Sequence, residues 1–351
     1  MEQLHEHKAG SDAVSRPPAG RRRLRRAVAV CSWLYLVVVL AAWGAIYAGD
    51  RWWPATLLLF SPRWLLAIPL LPLGLAAVGW QRRTLAVVLL TLLLVLGPIM
   101  GFQVPWSAAV STAPAGERLR VFTCNIHYHK PNRAALVRLL AESKPDIVAV
   151  QELPSADPFD YFPPDQWHVL RVRRLFLASR YPIRESVRLG SESTKVPGSI
   201  MRYDLDTSDS VVTLFSLHLA SPRDGLYRAT HHPTTGIAEL EENSAVRWRQ
   251  SEQLARLTEE VTGPVLLMGD FNTPAESAIF RHVWGRYTDA FAKAGWGWGY
   301  TFVGGKTAVR IDHILAGPGW YCERCWVGAN IGSPHRPVLA DLILSEPRPS
   351  R

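Results

Sequence analysis

Residues 27–49 run for 23 positions without a charged side chain, directly after the cluster Arg21, Arg22, Arg23, Arg25 and Arg26. A helix needs about 20 apolar residues to cross the hydrocarbon core of a bilayer, so this run is long enough to span one. A second apolar stretch covers 64–80, interrupted by Pro69 and Pro72, and a third covers 84–104. Proline is tolerated in membrane helices because neighbouring groups satisfy the carbonyl it frees. The three stretches read as a three-helix membrane anchor over 27–105. A cleaved signal peptide fits less well, because the first run is too long and no Ala-x-Ala site closes it. Three buried helices of a soluble protein fit poorly too, since the rest of the chain can fill its own core.

The position of the charge matters more than its sum of +9. Residues 1–105 hold 11 Lys or Arg against 4 Asp or Glu, whereas the rest of the chain holds 28 against 26. Short cytoplasmic loops are enriched in Lys and Arg. The N-terminus 1–26 and Gln81-Arg82-Arg83 are therefore expected inside and 50–63 outside. After an odd number of spans, everything beyond Trp106 is expected outside the cytoplasm. Trp33, Trp43, Trp52, Trp53, Trp64, Trp80 and Trp106 suit the interfacial belts. Segment 50–63 is itself fairly apolar and also reads as a re-entrant piece. The near-neutral second part argues against a groove that tracks nucleic acid, which carries excess basic charge.

A linker, 106–118, leads to a region of single-domain size, 119–345, followed by a short tail, 346–351. Strands are expected at 119–126, 147–150, 169–172, 175–179, 199–205, 211–217 and 265–268. Helices are expected at 132–143 and 244–261. This is an α/β pattern with strands too numerous and too closely spaced for a simple doubly wound sheet. The polar stretch 223–243, with His231 and His232, reads as a solvated loop that can also form a lid with Arg223 and Arg228. Arg247 and Arg249 are expected on an exposed helix face, and Phe271 and Cys124 are expected to pack inward. Cys322 and Cys325 form a lone C-x-x-C, too few ligands for a zinc ribbon. A disulfide and two spectator thiols both remain open there.

Chemistry gathers where strands end: Cys124-Asn125-Ile126, Gln151-Glu152, Ser216-Leu217-His218-Leu219, Gly269-Asp270-Phe271-Asn272, Arg310-Ile311-Asp312-His313 and Ser333-Pro334-His335-Arg336-Pro337-Val338. Hard cations such as Mg²⁺ take oxygen ligands and are usually held by one or two carboxylates plus the substrate phosphate. Glu152 fits as the charged ligand and Asn125 as a neutral one. Asp270 and Asn272, two apart, point to one side if the chain stays extended, where the Asp can orient or deprotonate water and the Asn amide can hold a phosphate oxygen. His335 beside Asp312 is kept in one tautomer, and it can bind a phosphoryl oxygen as a cation or activate water as a base. His218 offers another phosphate contact.

In this order the residues resemble the endonuclease/exonuclease/phosphatase superfamily of metal-dependent phosphoesterases, over roughly 119–344. The resemblance implies a DNase I-like fold, a four-layered α/β sandwich with two facing mixed sheets and an active site along one rim, here preceded by three transmembrane helices. It also implies Mg²⁺, or Mn²⁺, as cofactor, with Asn125 and Glu152 on the metal, His218 on phosphate, Asp270 and Asn272 positioning nucleophile and phosphate, and Asp312 orienting His335. One position departs: the family usually has Ser-Asp-His near the end, with that Asp approaching the metal, and Pro334 stands there instead. Proline offers no ligand and no backbone donor. His127, His129 or water are candidates to compensate.

The anchor and domain together look like the bacterial membrane phosphatases associated with teicoplanin resistance, proposed to act on polyprenyl pyrophosphate carriers. The expected function is an extracytoplasmic phosphoesterase, held in the cell membrane and acting on a lipid-borne phosphate or pyrophosphate. The alternatives are a membrane-tethered endonuclease or exonuclease, with nucleic acid the less favoured partner, and a catalytically impaired interaction protein, which only Pro334 supports. The sequence assigns no oligomeric state.

Overall fold

The computed structural model describes residues 19–106, 112–128, 131–155, 159–189 and 199–345. Most of the Arg-rich N-terminus, linker residues 107–111, His129 and the tail 346–351 lie outside the described residues.

Among the described residues three helical segments are long and apolar enough to cross a membrane: Ala19–Tyr47, Arg63–Trp80 and Arg82–Ile99. The first, α1 (Ala19–Tyr47), begins within the expected N-terminal region because arginine is a good helix former and the Arg cluster simply extends the helix. A short α2 (Trp53–Leu59) follows, where a loop or re-entrant piece is expected, and then α3 (Leu70–Trp80) and α4 (Leu85–Leu94). The third segment stops short of 104, because a π turn at Val95–Ile99 holding Pro98 closes it and Gly101, at φ 81°, redirects the chain. Val28, Ser32, Leu36, Val39 and Ile46 form the buried stripe of α1, which packs on α3 and α4. Leu34, Val37, Leu71, Leu75 and Leu93 face outward, an apolar exterior suited to hydrocarbon rather than water. Ser32 and Thr91 bond to carbonyls of their own helices at 2.8 and 2.7 Å, so these hydroxyls need no solvent partner.

These helical segments sort into two ends. Arg25 Nε donates to Trp80 O at 2.9 Å, which brings the Arg cluster and the turn with Arg82 and Arg83 together. At the other end, Ala278 N–H donates to Gly49 O at 3.1 Å, Tyr300 Oη donates to Met100 O at 2.9 Å, and Gln103 pairs with Gly297 as an isolated bridge. The C-terminal domain therefore rests on the ends of these helical segments opposite the arginines.

Among the described residues that domain holds two six-stranded sheets. The first comprises β1 (Gly116–Asn125), β2 (Ile147–Gln151), β3 (His168–Val172), β4 (Leu175–Ser179), β13 (Trp320–Val327) and β14 (Val338–Ser345), in the order β13-β14-β1-β2-β4-β3. The second comprises β5 (Ile183–Leu189), β6 (Ser199–Asp206), β7 (Val211–His218), β8 (Val265–Asp270), β9 (Thr288–Asp289) and β12 (Asp312–Ala316), in the order β5-β6-β7-β8-β12-β9. A hairpin of β10 (Phe302–Gly304) and β11 (Thr307–Val309) stands apart. Both large sheets are mixed: β1 runs parallel to β2 and antiparallel to β14, and β8 runs parallel to β7 and antiparallel to β12.

Period-2 alternation builds the layers. Val121, Leu266 and Met268 point between the sheets into one shared core, while Phe122 and Cys124 point outward onto α5 (Arg133–Ser143) through Leu136 and Leu139. On the far side Leu267 and Phe271 meet Leu254 and Ala255 of a long helix. Each fully buried Leu or Phe contributes about 1.5–3 kcal/mol. The result is the expected sandwich of helix, sheet, sheet and helix, with Phe271 and Cys124 buried.

Stretch 223–243 is helical rather than a loop. It forms α6 (Arg223–His231) and the start of α7 (Pro233–Glu259), which runs on through the helix expected from 244. The two helices pack as a hairpin that depends on missing side chains: a Cβ on Gly236 would lie 2.1 Å from the Arg228 carbonyl carbon, and one on Gly225 would lie 3.0 Å from Leu240 Cα. Arg249 is exposed and pairs with Glu242, but Arg247 is wholly buried, contrary to expectation. It falls on the inward stripe Leu240, Ser244, Arg247, Ser251 and Leu254, and its charge is matched by Asp50, 2.7 Å away. Cys322 and Cys325 are buried free thiols on β13, whose pKa values burial pushes up.

Candidate active site

Strand register places the sequence-predicted residues along one rim. In the second sheet His218, Asp270 and Asp312 lie side by side across β7, β8 and β12. In the first sheet Asn125 pairs with Gln151, so Glu152 emerges just past the end of β2 beside it. His335 sits three residues ahead of β14. Gly269 lets the rows approach, since a Cβ there would lie 2.0 Å from Leu217 O and its φ is 140°. All seven predicted residues are thus brought to the same edge.

The side chains interlock across the two sheets. Asn125 Nδ2 donates to Glu152 Oε1 and to Asp270 Oδ2, both at 2.9 Å, while its Oδ1 accepts from His127 N–H at 2.8 Å. His218 Nε2 lies 3.2 Å from Glu152 Oε1 and 3.8 Å from Asp270 Oδ2, ion-pair distances without hydrogen-bond alignment. His335 Nδ1 bonds Asp312 Oδ2 at 2.9 Å, which leaves Nε2 facing Asp270 Oδ2 at 4.0 Å. Asn272 N–H donates to Asp270 Oδ1 at 2.9 Å and Asn272 Nδ2 donates to Leu219 O at 2.8 Å.

Backbone strain gathers here as well. His127, Tyr128, Glu152 and Asn272 hold φ of 50°, 56°, 55° and 51°, a left-handed region that non-glycine residues occupy only when their surroundings over-determine it.

Burial, then the neighbouring charge of Asp312, pushes the Asp270 carboxyl up to about 6, although His335, His218 and the Asn125 amide oppose the shift. Burial by itself would lower the His335 imidazole, but the charge and hydrogen bond of Asp312, aided by Asp270 and Glu152, raise it to about 9. Between those values the site holds a carboxylate ready to accept a proton from water and an imidazolium ready to donate to a phosphoryl oxygen. Without a cation the two groups ionise near pH 6 and pH 9; a cation beside Asp270 moves its ionisation to lower pH, so turnover is expected to fall on the alkaline side, where His335 loses its proton. Asp312→Asn should move the alkaline limb downward, because Asp312 is the group that raises His335. A rate profile with no alkaline limb up to about pH 10 would remove the His335 assignment.

The donor set fits a divalent cation. Glu152, His218 and Asp270 offer ligand atoms within 4.8 Å of one another, as do Asp270, Asp312 and His335. Asp312 Oδ1 is buried without a hydrogen-bond partner among the described residues. The two groups share Asp270, and each holds two buried carboxylates that call for positive charge, while oxygen ligands call for a hard cation. The Asn125 amide nitrogen, shared between two of these carboxylates, supplies part of that compensation. Pro334 adds no ligand, as its sequence implies; its carbonyl accepts from Val303 N–H at 3.2 Å. His127 lies beside the site, its ring stacked 6.5 Å from that of His335 and its Nε2 2.7 Å from Arg223 Nη1.

Several supporting residues escape the sequence reading. Ser333 Oγ donates to Asn125 O at 2.7 Å and accepts from His335 N–H at 3.1 Å, tying the loop that carries His335 to the end of β1 within the first sheet. Thr301 Oγ1 accepts from Ile311 and Asp312 N–H groups. His313 points behind the site: Nδ1 faces Arg310 Nη1 at 3.2 Å and Nε2 faces Thr273 O at 2.9 Å. Burial and then the Arg310 charge push it down to about 4, a neutral strut.

A cavity of about 990 Å³ opens over this rim. Glu152, His218, Asp270, Asn272 and His335 line one side of it, and Leu226 and Tyr227 of α6 another. Pro54, Leu57, Leu58 and Phe60, from the segment between the first two spans, complete its wall.

The profile described as "Endonuclease/Exonuclease/phosphatase family" matches residues 122–335. No curated protein matches the chain. Solved structures similar to it include D. rerio TDP2 humanized by 14 mutations, at 16% identity and a TM-score of 0.49, covering 64% of this chain and 98% of that one. An endonuclease/exonuclease/phosphatase family protein of Bacteroides thetaiotaomicron is 17% identical with a TM-score of 0.49, covering 66% and 97%. Another, from Bacteroides vulgatus, is 17% identical with a TM-score of 0.49, covering 65% and 100%.

Proposed function

The chain belongs to the endonuclease/exonuclease/phosphatase family, and from that premise we propose that it is a membrane-anchored, divalent-metal-dependent phosphoesterase acting outside the cytoplasm on a lipid-borne phosphate or pyrophosphate. The observation that carries the substrate reading is the shared cavity: phosphoester chemistry lines one side, and the apolar residues Pro54, Leu57, Leu58 and Phe60 of the anchor line the other. A water-soluble substrate has no use for such a wall, whereas a phosphate on a hydrocarbon chain presents both chemistries at once.

Glu152 and Asp270 would hold the cation, which would take the place of the Asn125 N–H that now bridges them; the Asn125 amide oxygen, which here accepts from His127 N–H, would join as a ligand only on turning toward it. When bound, the cation would polarise a phosphoryl oxygen and neutralise charge that develops there. Asp270 orients water and accepts its proton for in-line attack on phosphorus. His335, held by Asp312, donates from Nε2 to the phosphoryl or leaving oxygen, and His218 and the Asn272 amide steady the remaining oxygens. The outside placement is supported by the arginines gathering at the ends of the spans away from the domain.

The test is a substrate panel with the full chain in detergent and Mg²⁺: a polyprenyl pyrophosphate, a soluble phosphodiester and supercoiled plasmid. Phosphate release from the lipid at a kcat/KM about 100-fold above the soluble ester is expected, with the plasmid intact. Plasmid nicking without lipid turnover would replace this reading with the nuclease one.

A further inference from the structure

Arg247 is an arginine withdrawn completely from water in the middle of α7, and its partners come from two places far apart in sequence. Nη2 donates to Asp50 Oδ1 at 2.7 Å and to Ser244 Oγ at 3.2 Å, and Nε donates to Asn243 Oδ1 at 3.0 Å. Nη1 donates at 3.1 Å to the backbone carbonyl of Asn272. The guanidinium also lies 5.7 Å from the ring of Phe60, on the cavity wall. Asp50 belongs to the membrane anchor, just past α1, and its side chain is likewise fully buried. Its place is fixed by its own N–H, which donates to Thr56 Oγ1 at 2.9 Å, and by its carbonyl, which accepts from Trp248 Nε1 at 3.0 Å.

Asn272 needs such support. Its φ of 51° is in the left-handed region, and the turn is held at one end by the Asp270 carboxylate on the Asn272 N–H and at the other by Arg247 on the Asn272 carbonyl. Arg63, buried at the start of the second span, meets Glu276 at 3.1 Å a few residues further along the same loop. The anchor thus brackets the loop that carries Asp270 and Asn272.

We propose that the membrane anchor is a working part of the active site: Asp50 holds the Arg247 guanidinium, and Arg247 is a positioning residue that fixes the Asn272 turn. The proposal is independent of the lipid substrate and rests on the phosphoesterase reading only for its kinetic measurement.

Two variants of the full chain test it. Asp50→Asn keeps shape and one acceptor but removes the charge. The double variant with Asp50→Leu and Arg247→Met removes both charges, a replacement by apolar groups that commonly leaves stability unchanged or raised. In both, kcat on a small soluble phosphodiester with Mg²⁺ is expected to fall about tenfold or more, with KM within about twofold, because the turn loses its alignment while the cavity stays open. Amide exchange in the peptide holding Phe271 to Thr273 is expected to quicken about tenfold or more, while Leu214 and Phe215 in the core of β7 keep their protection. A merely structural pair predicts the opposite for the double variant: a parental melting temperature, parental kcat and parental exchange at 271–273, and that result overturns the proposal. If the parent turns over no phosphoester, the enzyme reading falls while exchange still decides this one. If Asp50→Asn fails to fold, the double variant carries the test.

Discussion

His335→Ala is expected to lower kcat about 10³-fold on any phosphoester the protein hydrolyses, at unchanged fold. The magnitude follows from two functions resting on one ring. Its Nδ1 is committed to Asp312 at 2.9 Å, so Nε2 alone faces the cavity, and the raised pKa keeps that nitrogen protonated at neutral pH. Removing it takes away a proton donor, worth about 10²–10⁴, and a buried positive charge at the position where phosphoryl oxygens gain negative charge, worth about 10²–10³. These overlap, because the same hydrogen bond supplies both, so the product is not expected. The cavity is also lined by His127, whose ring stacks on His335, and a shift of that ring into the space is the one route to partial compensation. Steady-state kinetics of the full chain decide the matter, with divalent-ion affinity from calorimetry as the control that the carboxylates are intact. A variant within about tenfold of the parent would mean that the rim is not the site of phosphoester chemistry.

The anchor was legible because hydropathy is local: residues 27–49 need no partner to declare themselves. The rim was legible for a similar reason. Asn125, Glu152, His218, Asp270, Asp312 and His335 each stand at or beside a strand end, and parallel or antiparallel register converts strand ends into a row without further information. Features that depend on distant pairing were not legible. Stretch 223–243 looked like a loop because it is polar, yet Gly225 and Gly236 let its two helices approach closely enough to bury each other's backbone. Arg247 looked exposed because a charged side chain usually is; its place on the inward stripe from Leu240 to Leu254 was the available signal, and its partner lies 197 positions away. The apolar cavity wall from the anchor was hidden for the same reason, since nothing in residues 54–60 announces which domain they touch.

Asp270→Asn is expected to separate stability from activity with opposite signs. The folded-state carboxyl sits near 6, about two units above the ordinary aspartate range, so the native protein binds this proton more tightly than the unfolded chain does. For a carboxyl shifted upward, folding loses stability as pH rises from about 4 to about 6, and above that window the full penalty is present. Two pKa units correspond to about 3 kcal/mol, and asparagine, which does not titrate, removes it. In chelator at pH 7.5 the variant should therefore melt several degrees above the parent, by up to about 3 kcal/mol, with the advantage shrinking through pH 6 and gone near pH 4. The gain is capped because the new NH₂ group meets the Asn125 NH₂ that now donates to Asp270 Oδ2 at 2.9 Å. Added Mg²⁺ should narrow the gap, since the parental carboxylate then acquires a cation and the amide does not. Activity should fall about 10³-fold at every pH, because the amide cannot take the proton of the attacking water. Melting curves in chelator and in Mg²⁺ across pH 4–8, beside rates on the same preparations, test both halves. A variant less stable than the parent in chelator at pH 7.5 would show that Asp270 is held as a carboxylate by its neighbours alone, and a variant that still turns over would place the base elsewhere on the rim.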